Sequence, residues 1–258
     1  MNIDTNETVL ESTGVSRRAA LRTSGRLGTA GLALAAAPLG VVAAARKLGA
    51  MQAQVSVQDV LNFALLLEYL EAEYYVRGVD SGVIPGQDRR TFRTIRDHEL
   101  VHVAFLRNAL GSAAIPEPEF DFTAGGQFAP FSDYPTFLLL AQGFEDTGVR
   151  AYKGQLPNLQ SAPAVLTAAA TIHSVEGEHA SKVRRIRGLE GWIPDSGDDS
   201  PAVLAAVYAG EGNTVQGGVD LASAGFAAFG ITVEQIQEAF DEPLTMEEVL
   251  AIAGMFLA

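Results

Sequence analysis

Glutamates and histidines occupy positions in apolar helical stripes where leucine would be expected. Apolar spacings of three and four residues predict four amphipathic helices between residues 56 and 188. Four glutamates and two histidines fall within these stripes: Glu68, Glu99, His102, Glu145, Glu176 and His179. Burying four unpaired carboxylates would cost more than the roughly 5–15 kcal/mol stability of a typical domain. Either the stripes do not face a common core, or cations lie between them.

The two predicted helical hairpins have the same internal spacing. Four residues of the first recur 77 residues later in the second: Glu68, Tyr75, Glu99 and His102 correspond to Glu145, Tyr152, Glu176 and His179. Glu68 and Glu99 are separated from the turn of the first hairpin by nearly the same number of residues. The same holds for Glu145 and Glu176 in the second hairpin. Since a helix rises 1.5 Å per residue, the two side chains are predicted to lie at one level of an antiparallel pair.

Residues 98–102 read HELVH, which fits two different metal sites. H-E-x-x-H is the zinc-protease helix motif, and the E-x-x-H within it belongs to dinuclear carboxylate bundles. The segment after His102 lacks the G-x-x-H continuation of one protease class, and the copy at 175–179, VEGEH, lacks the first histidine. One glutamate from each of two helices plus E-x-x-H from each of the others is the dinuclear arrangement.

Composition limits the ligands and partners. The chain has no cysteine, so a metal must be held by histidine and carboxylate side chains, which suits iron, manganese or zinc. The formal net charge of -13 argues against nucleic acids and anionic membranes as partners.

The set of two E-x-x-H motifs, two further glutamates and two tyrosines resembles the ferritin-like superfamily, which includes bacterioferritin, rubrerythrin and manganese catalase. The resemblance covers roughly residues 56 to 188 and implies an all-α fold, a four-helix bundle of two antiparallel hairpins. Residues 111–132 fit the long crossover between them. The resemblance implies two bound iron ions, or alternatively manganese. It assigns as ligands Glu68, Glu99, His102, Glu145, Glu176 and His179, with Glu99 and Glu176 bridging.

Tyr75 and Tyr152 match positions that hydrogen-bond or donate electrons near such centres, although a role as ordinary core aromatics is an equal alternative. Of the remaining polar residues, Glu71 is expected at the rim of the site or directly behind its ligands. His98 and His173 are expected to face solvent or to support a ligand. Solvent exposure is predicted for Glu73, Asp146 and Glu178.

The N-terminus is similar to a twin-arginine export signal. SRRAAL at 16–21 precedes an uncharged run from Leu27 to Ala45 that ends in small residues. A membrane anchor is the alternative, although Pro38 interrupts a run barely long enough to span a bilayer. The sequence predicts three parts: an export signal at 1–45, the bundle at 46–188 and a helical C-terminal extension at 189–258.

Thr232 with Gln235, and Thr245 with Glu248, form predicted capping boxes for two short helices of the extension. The extension is expected to pack on the bundle or to form a homodimer contact. The leader and the extension make the chain most similar to the exported, desiccation-related branch. That resemblance implies a periplasmic or extracellular protein that reduces dioxygen or peroxide in oxidative, iron or desiccation stress. A non-catalytic structural or metal-binding protein is the alternative.

Cleavage of the leader provides the first test. The mature protein isolated from its native source should begin near residue 46, as read by N-terminal sequencing or intact mass. A mature N-terminus at Met1 would contradict the export signal.

Overall fold

The computed structural model describes residues 55–194 and 202–258, and the predicted export signal lies outside them. Four long helices form the bundle: α1 (Val57–Ser81), α2 (Arg89–Leu110), α3 (Tyr134–Gln155) and α4 (Pro163–Ile186). Helix α1 packs along α2, α3 packs along α4, and the two hairpins meet mainly through α1 and α3. The predicted all-α four-helix bundle is confirmed.

The helix ends follow local sequence signals. Ser56 accepts a hydrogen bond from the backbone of Asp59, whose carboxylate returns one to Ser56, and Gly82 ends α1 in the left-handed region at φ 80°. In the sequence, Ser132 followed by Pro135 predicts the cap and first turn of α3, but the cap is Asp133, which accepts from the backbone N–H of Thr136. The start therefore shifts by one residue because the aspartate is the side chain that reaches the free amide.

The two ends of the bundle are packed differently. At one end, aromatic rings fill the core: Tyr74 stacks on Phe137 at 5.1 Å, and Phe92 meets Phe137 edge-on at 5.0 Å. The repeat places small side chains at the corresponding positions of the other end, Ala151 for Tyr74 and Ala169 for Phe92. An apolar pocket opens there, lined in part by both alanines. The repeat is therefore preserved at the predicted ligands and lost in the surrounding core.

The C-terminal extension covers the α1 and α3 side of the bundle. It contains the antiparallel pair β1 (Val215–Gln216) and β2 (Val219–Asp220), then α5 (Val233–Gln237) and α6 (Met246–Ala253). Short 3-10 helices complete it: Ala202–Tyr208, Leu221–Ser223, Phe226–Phe229 and Gly254–Phe256. Two others lie in the bundle connections: Gly111–Ala113 and Leu156–Leu159.

Both predicted capping boxes of the extension are present, at Thr232 for α5 and Thr245 for α6. Phe256 packs edge-on against Phe144 of α3 at 4.9 Å, and Leu257 forms a β-bridge with Phe120 in the crossover. The extension therefore packs on the bundle. The predicted homodimer contact stays a prediction.

Buried ion pairs lie where the extension meets the bundle, one between α3 and α4 and one between α3 and the extension. Asp146 was predicted to be exposed, and this is wrong: it is fully buried, with Arg184 at 2.7 Å and the Tyr208 hydroxyl donating to it at 2.8 Å. Arg150 pairs with Glu211 at 2.7 Å. Asp146 lies off the apolar stripe of α3, but the extension covers that side of the helix, which the helical periodicity does not show.

No helix in residues 55–194 and 202–258 combines the length and the apolar character needed to cross a membrane.

The buried pairs predict a strong dependence of folding on Arg184. Arg184→Ala would leave Asp146 buried without its cation, which costs about 3–5 kcal/mol. Urea denaturation should show this loss in the free energy of unfolding. Arg185→Ala is the matched control, because the neighbouring Arg185 pairs with Glu190 at the surface, 3.3 Å away, and should change stability far less. Equal effects of the two substitutions would contradict the role given to the buried pair.

Candidate metal centre

The four helices bring the six predicted ligands into one buried cluster. Their side-chain atoms form two groups, and within each group they lie within 4.8 Å of one another. The first group contains Glu68, Glu99, His102 and Glu176, and the second contains Glu99, Glu145, Glu176 and His179. Glu99 and Glu176 belong to both groups, which is the geometry that a bridging role requires. The cluster therefore offers two overlapping groups of possible ligand atoms.

Both imidazoles point the same nitrogen into the cluster. Nδ1 of His102 lies 3.0 Å from Glu99 Oε2, 3.2 Å from Glu68 Oε2 and 3.3 Å from Glu176 Oε1. Nδ1 of His179 lies 2.8 Å from Glu99 Oε1 and 3.4 Å from Glu145 Oε2. Each helix pair places its histidine three residues after a shared glutamate, so the repeat in sequence becomes an approximate two-fold repeat in space.

Several atoms of the cluster are buried without a hydrogen-bond partner. They include both carboxylate oxygens of Glu176, Oε2 of Glu145, Oε1 of Glu99 and Nδ1 of His179. The last two are 2.8 Å apart, but their orientation does not form a hydrogen bond. Buried polar atoms are almost always paired, and leaving one unpaired costs about 1–3 kcal/mol. Oxygen and nitrogen atoms that converge in this way without hydrogen-bond partners are typical metal ligands, so the residues present fit a metal site.

Without a metal, the negative charges of the cluster are not balanced by enough positive charges. Burial raises the pKa of Glu68 to about 7, and burial together with repulsion from Glu99 and Glu68 raises the pKa of Glu176 well above its usual value. Burial also opposes ionisation of Glu99, but the hydrogen bond from His102 and the attraction of the nearby His179 outweigh it and lower the pKa to about 2. The carboxylates thus compete for the few positive charges in the cluster.

The histidines supply those charges when no metal does. Burial lowers a histidine pKa, but attraction to the nearby carboxylates of Glu176, Glu68 and Glu99 outweighs it and raises the pKa of His102 to about 12. For His179, burial is outweighed by Glu145 and Glu99, and its pKa rises to about 11. Protonated imidazoles therefore stand where metal cations would stabilise the carboxylates.

Two tyrosines bind the outer carboxylates across the bundle. The Tyr75 hydroxyl on α1 donates to Oε1 of Glu145 on α3, and the Tyr152 hydroxyl on α3 donates to Oε1 of Glu68 on α1. Burial, with repulsion from the carboxylate that each contacts, raises both phenol pKa values well above the usual range. Both phenols remain protonated donors, so they do more than fill the core.

Glu71 lies buried beside the ligands. Of its two predicted places, the structure favours the one behind the ligands over the rim, because Glu71 is 3% exposed. A Cβ added at Gly148 would lie 3.1 Å from Glu71 Oε1 and 3.3 Å from Glu176 Oε2, so the glycine makes room for both carboxylates. Gly148 is the residue that corresponds to Glu71 in the second hairpin. A position-by-position comparison of the two hairpins would have shown that glycine stands in the second where a large side chain stands in the first.

The other polar neighbours lie outside both groups. Glu178 is exposed, as predicted, and Glu73 is partly exposed and pairs with Arg77 at 2.8 Å. His173 is half-buried on α4. His98 is exposed, yet its ring contacts His179, so it supports a predicted ligand.

The pKa shifts predict how stability depends on pH without metal. Glu68 and Glu176 hold a proton above their ordinary value of 4.5, and His102 and His179 hold one above 6.5. The folded state then binds more protons than the unfolded state, so the free energy of unfolding should fall as pH rises from about 5 to 8. Glu99 acts in the opposite direction only below its ordinary 4.5.

Metal loading should reverse this trend, since metal displaces the protons and binds more tightly as pH rises. Urea denaturation of the metal-free and the metal-loaded protein, between about pH 5 and pH 8, measures both trends in the free energy of unfolding. A metal-free protein that gains stability with rising pH would contradict the charge balance described for the cluster.

The comparisons agree with the fold and the cluster. A family model described as a ferritin-like domain matches residues 56–189, more than half of the chain. No curated protein matches the sequence. The match spans all four helices of the bundle and all six predicted ligands, and we conclude that the chain belongs to the ferritin-like domain family.

Proposed function

We propose that this protein holds a dinuclear iron or manganese centre and uses it in redox chemistry with dioxygen or peroxide. The observation that carries the proposal is the convergence of four buried carboxylates and two imidazoles on two adjacent positions. Four carboxylates balance the charge of two divalent cations. Bound metal ions would therefore take the place of the protons that otherwise balance the charge of the cluster.

The donor set supports these metals. It offers carboxylate oxygens and imidazole nitrogens without a thiolate, a combination that suits iron and manganese. Both positions share Glu99 and Glu176, and each adds one histidine and one outer glutamate. When bound, the two metal ions would supply the electrons exchanged with the oxidant.

The protein side chains would hold the geometry during that exchange. The Tyr75 and Tyr152 hydroxyls fix one oxygen of Glu145 and Glu68, respectively. That leaves the second oxygen of each glutamate in the cluster, Oε2 in both cases, facing a histidine Nδ1. Because each tyrosine belongs to the opposite hairpin, a relative shift of the hairpins would disturb both outer glutamates together.

An apolar pocket beside the cluster favours a small nonpolar oxidant. Its lining includes Leu67, Ala151 and Ala169, and it reaches Tyr152, whose hydroxyl binds Glu68. Aromatic side chains fill the corresponding space at the other end of the bundle. Dioxygen partitions into apolar surroundings, so this end of the bundle is the favoured approach.

The proposed cellular role rests on the N-terminal sequence. A twin-arginine signal would export the chain already folded, so the metal centre could be filled before export. The protein would then remove dioxygen or peroxide, or oxidise iron, in the periplasm or outside the cell under oxidative or desiccation stress.

Metal content tests the centre. The purified protein loaded with Fe(II) or Mn(II) should bind about two metals per chain, and Glu99→Ala or Glu176→Ala should abolish this because each removes a shared carboxylate. Elemental analysis measures the ratio. Glu178→Ala is the matched control on α4, since Glu178 is exposed, and should keep both metals. A wild-type protein that takes up no metal would overturn the proposal.

Turnover separates the catalytic function from the non-catalytic alternative. The iron-loaded or manganese-loaded protein should consume dioxygen or peroxide over several cycles, as followed with an oxygen electrode and a peroxide assay. Two bound metals without consumption of either oxidant would favour a structural or storage role.

A further inference from the structure

His98 forms a hydrogen bond with one of the two predicted histidine ligands. Nδ1 of His98 lies 2.8 Å from Nε2 of His179. The ring planes differ by 20° and the ring centroids are 5.1 Å apart, so the two nitrogens face each other. His179 thus presents Nδ1 to the carboxylates and Nε2 to a second imidazole near the protein surface.

Metal binding would determine the direction of this hydrogen bond. A metal on Nδ1 of His179 requires that nitrogen to be unprotonated, so the neutral ring carries its proton on Nε2. Nε2 of His179 then donates, and Nδ1 of His98 accepts. Such an outer partner fixes both the tautomer and the ring orientation of a metal-bound histidine and makes it a stronger ligand.

The other histidine lacks an equivalent partner. Val175 occupies the position that corresponds to His98 in the second hairpin, and its side chain forms no hydrogen bond. In the described part of the chain, the hydrogen bonds of His102 all involve Nδ1. The repeat therefore preserves both histidines and both groups of carboxylates. In the described residues, only His179 has an outer imidazole as a hydrogen-bond partner.

We propose that His98 is a positioning residue that makes the two metal positions unequal, so that the position at His179 and Glu145 binds metal more tightly and fills first. The inference rests on the proposed dinuclear centre and adds an order of loading to it. A hydrogen-bond partner on the outer nitrogen of a metal-bound histidine changes the metal affinity by about 10–100-fold, which is large enough to separate two binding steps.

Cobalt(II) titrated into the metal-free full-length protein provides the test, because calorimetry resolves unequal binding steps. The wild-type protein should show two steps with affinities that differ by about 10–100-fold. His98→Leu should weaken the tighter step by that factor and leave the other step unchanged. His98→Asn should restore much of the loss, since its amide oxygen can accept a hydrogen bond near the position of Nδ1.

Ligand variants identify which step belongs to which position. His102→Ala should retain the tighter step and His179→Ala the weaker one. Adding His98→Leu should then weaken binding only in the His102→Ala background, because His98 acts through His179. Val175→Leu, at the corresponding position of the second hairpin, is the matched control and should leave both steps as in wild type.

The outcomes separate this inference from the proposed function. Two equal steps in the wild type, or equal weakening of both steps by His98→Leu, would overturn the role of His98 while leaving the dinuclear centre intact. Binding of no cobalt would overturn the dinuclear centre itself. Loss of secondary structure in His98→Leu by circular dichroism, absent from His98→Asn, would show a structural role and also count against the inference.

Discussion

The arrangement of the bundle depends on the burial of four carboxylates at its centre. Glu68, Glu99, Glu145 and Glu176 are all fully buried, and no lysine or arginine pairs with them in the described part of the chain. Two imidazoles and two phenols are the groups that approach them most directly. A core of this composition is costly unless cations enter it, which links the stability of the bundle to its proposed chemistry.

The centre and its surroundings obey different constraints. Ligand geometry requires the same residues at the same level in each hairpin, so the repeat is preserved at the six predicted ligands and at Tyr75 and Tyr152. Packing requires only that volume be filled, so the copies differ in the core, with Tyr74 matched by Ala151 and Glu71 by Gly148. These differences give the cluster an aromatic end and an end with an apolar pocket. An approximately symmetric set of donors therefore lies in an asymmetric environment.

A second set of buried charges lies where the extension meets the bundle. Arg184 with Asp146, and Arg150 with Glu211, pair inside the protein, in contrast to the carboxylate cluster, where pairing within the chain is incomplete. Helix periodicity did not reveal the burial of Asp146, because periodicity identifies the stripe that faces the bundle core and not a second surface covered later in the chain. The position of Glu71 also depends on another helix: the space it occupies exists because Gly148, on α3, has no side chain.

The sequence by itself determined the four bundle helices, the capping boxes of the two short helices at Thr232 and Thr245, and the choice of six candidate ligands. Those features depend on local spacing and on a repeat of 77 residues, both of which can be read along the chain. Only the tertiary structure decided that each tyrosine binds the glutamate of the opposite hairpin and that His98 contacts His179. These contacts join residues far apart in the chain, and their distances depend on how the helices pack rather than on any single helix.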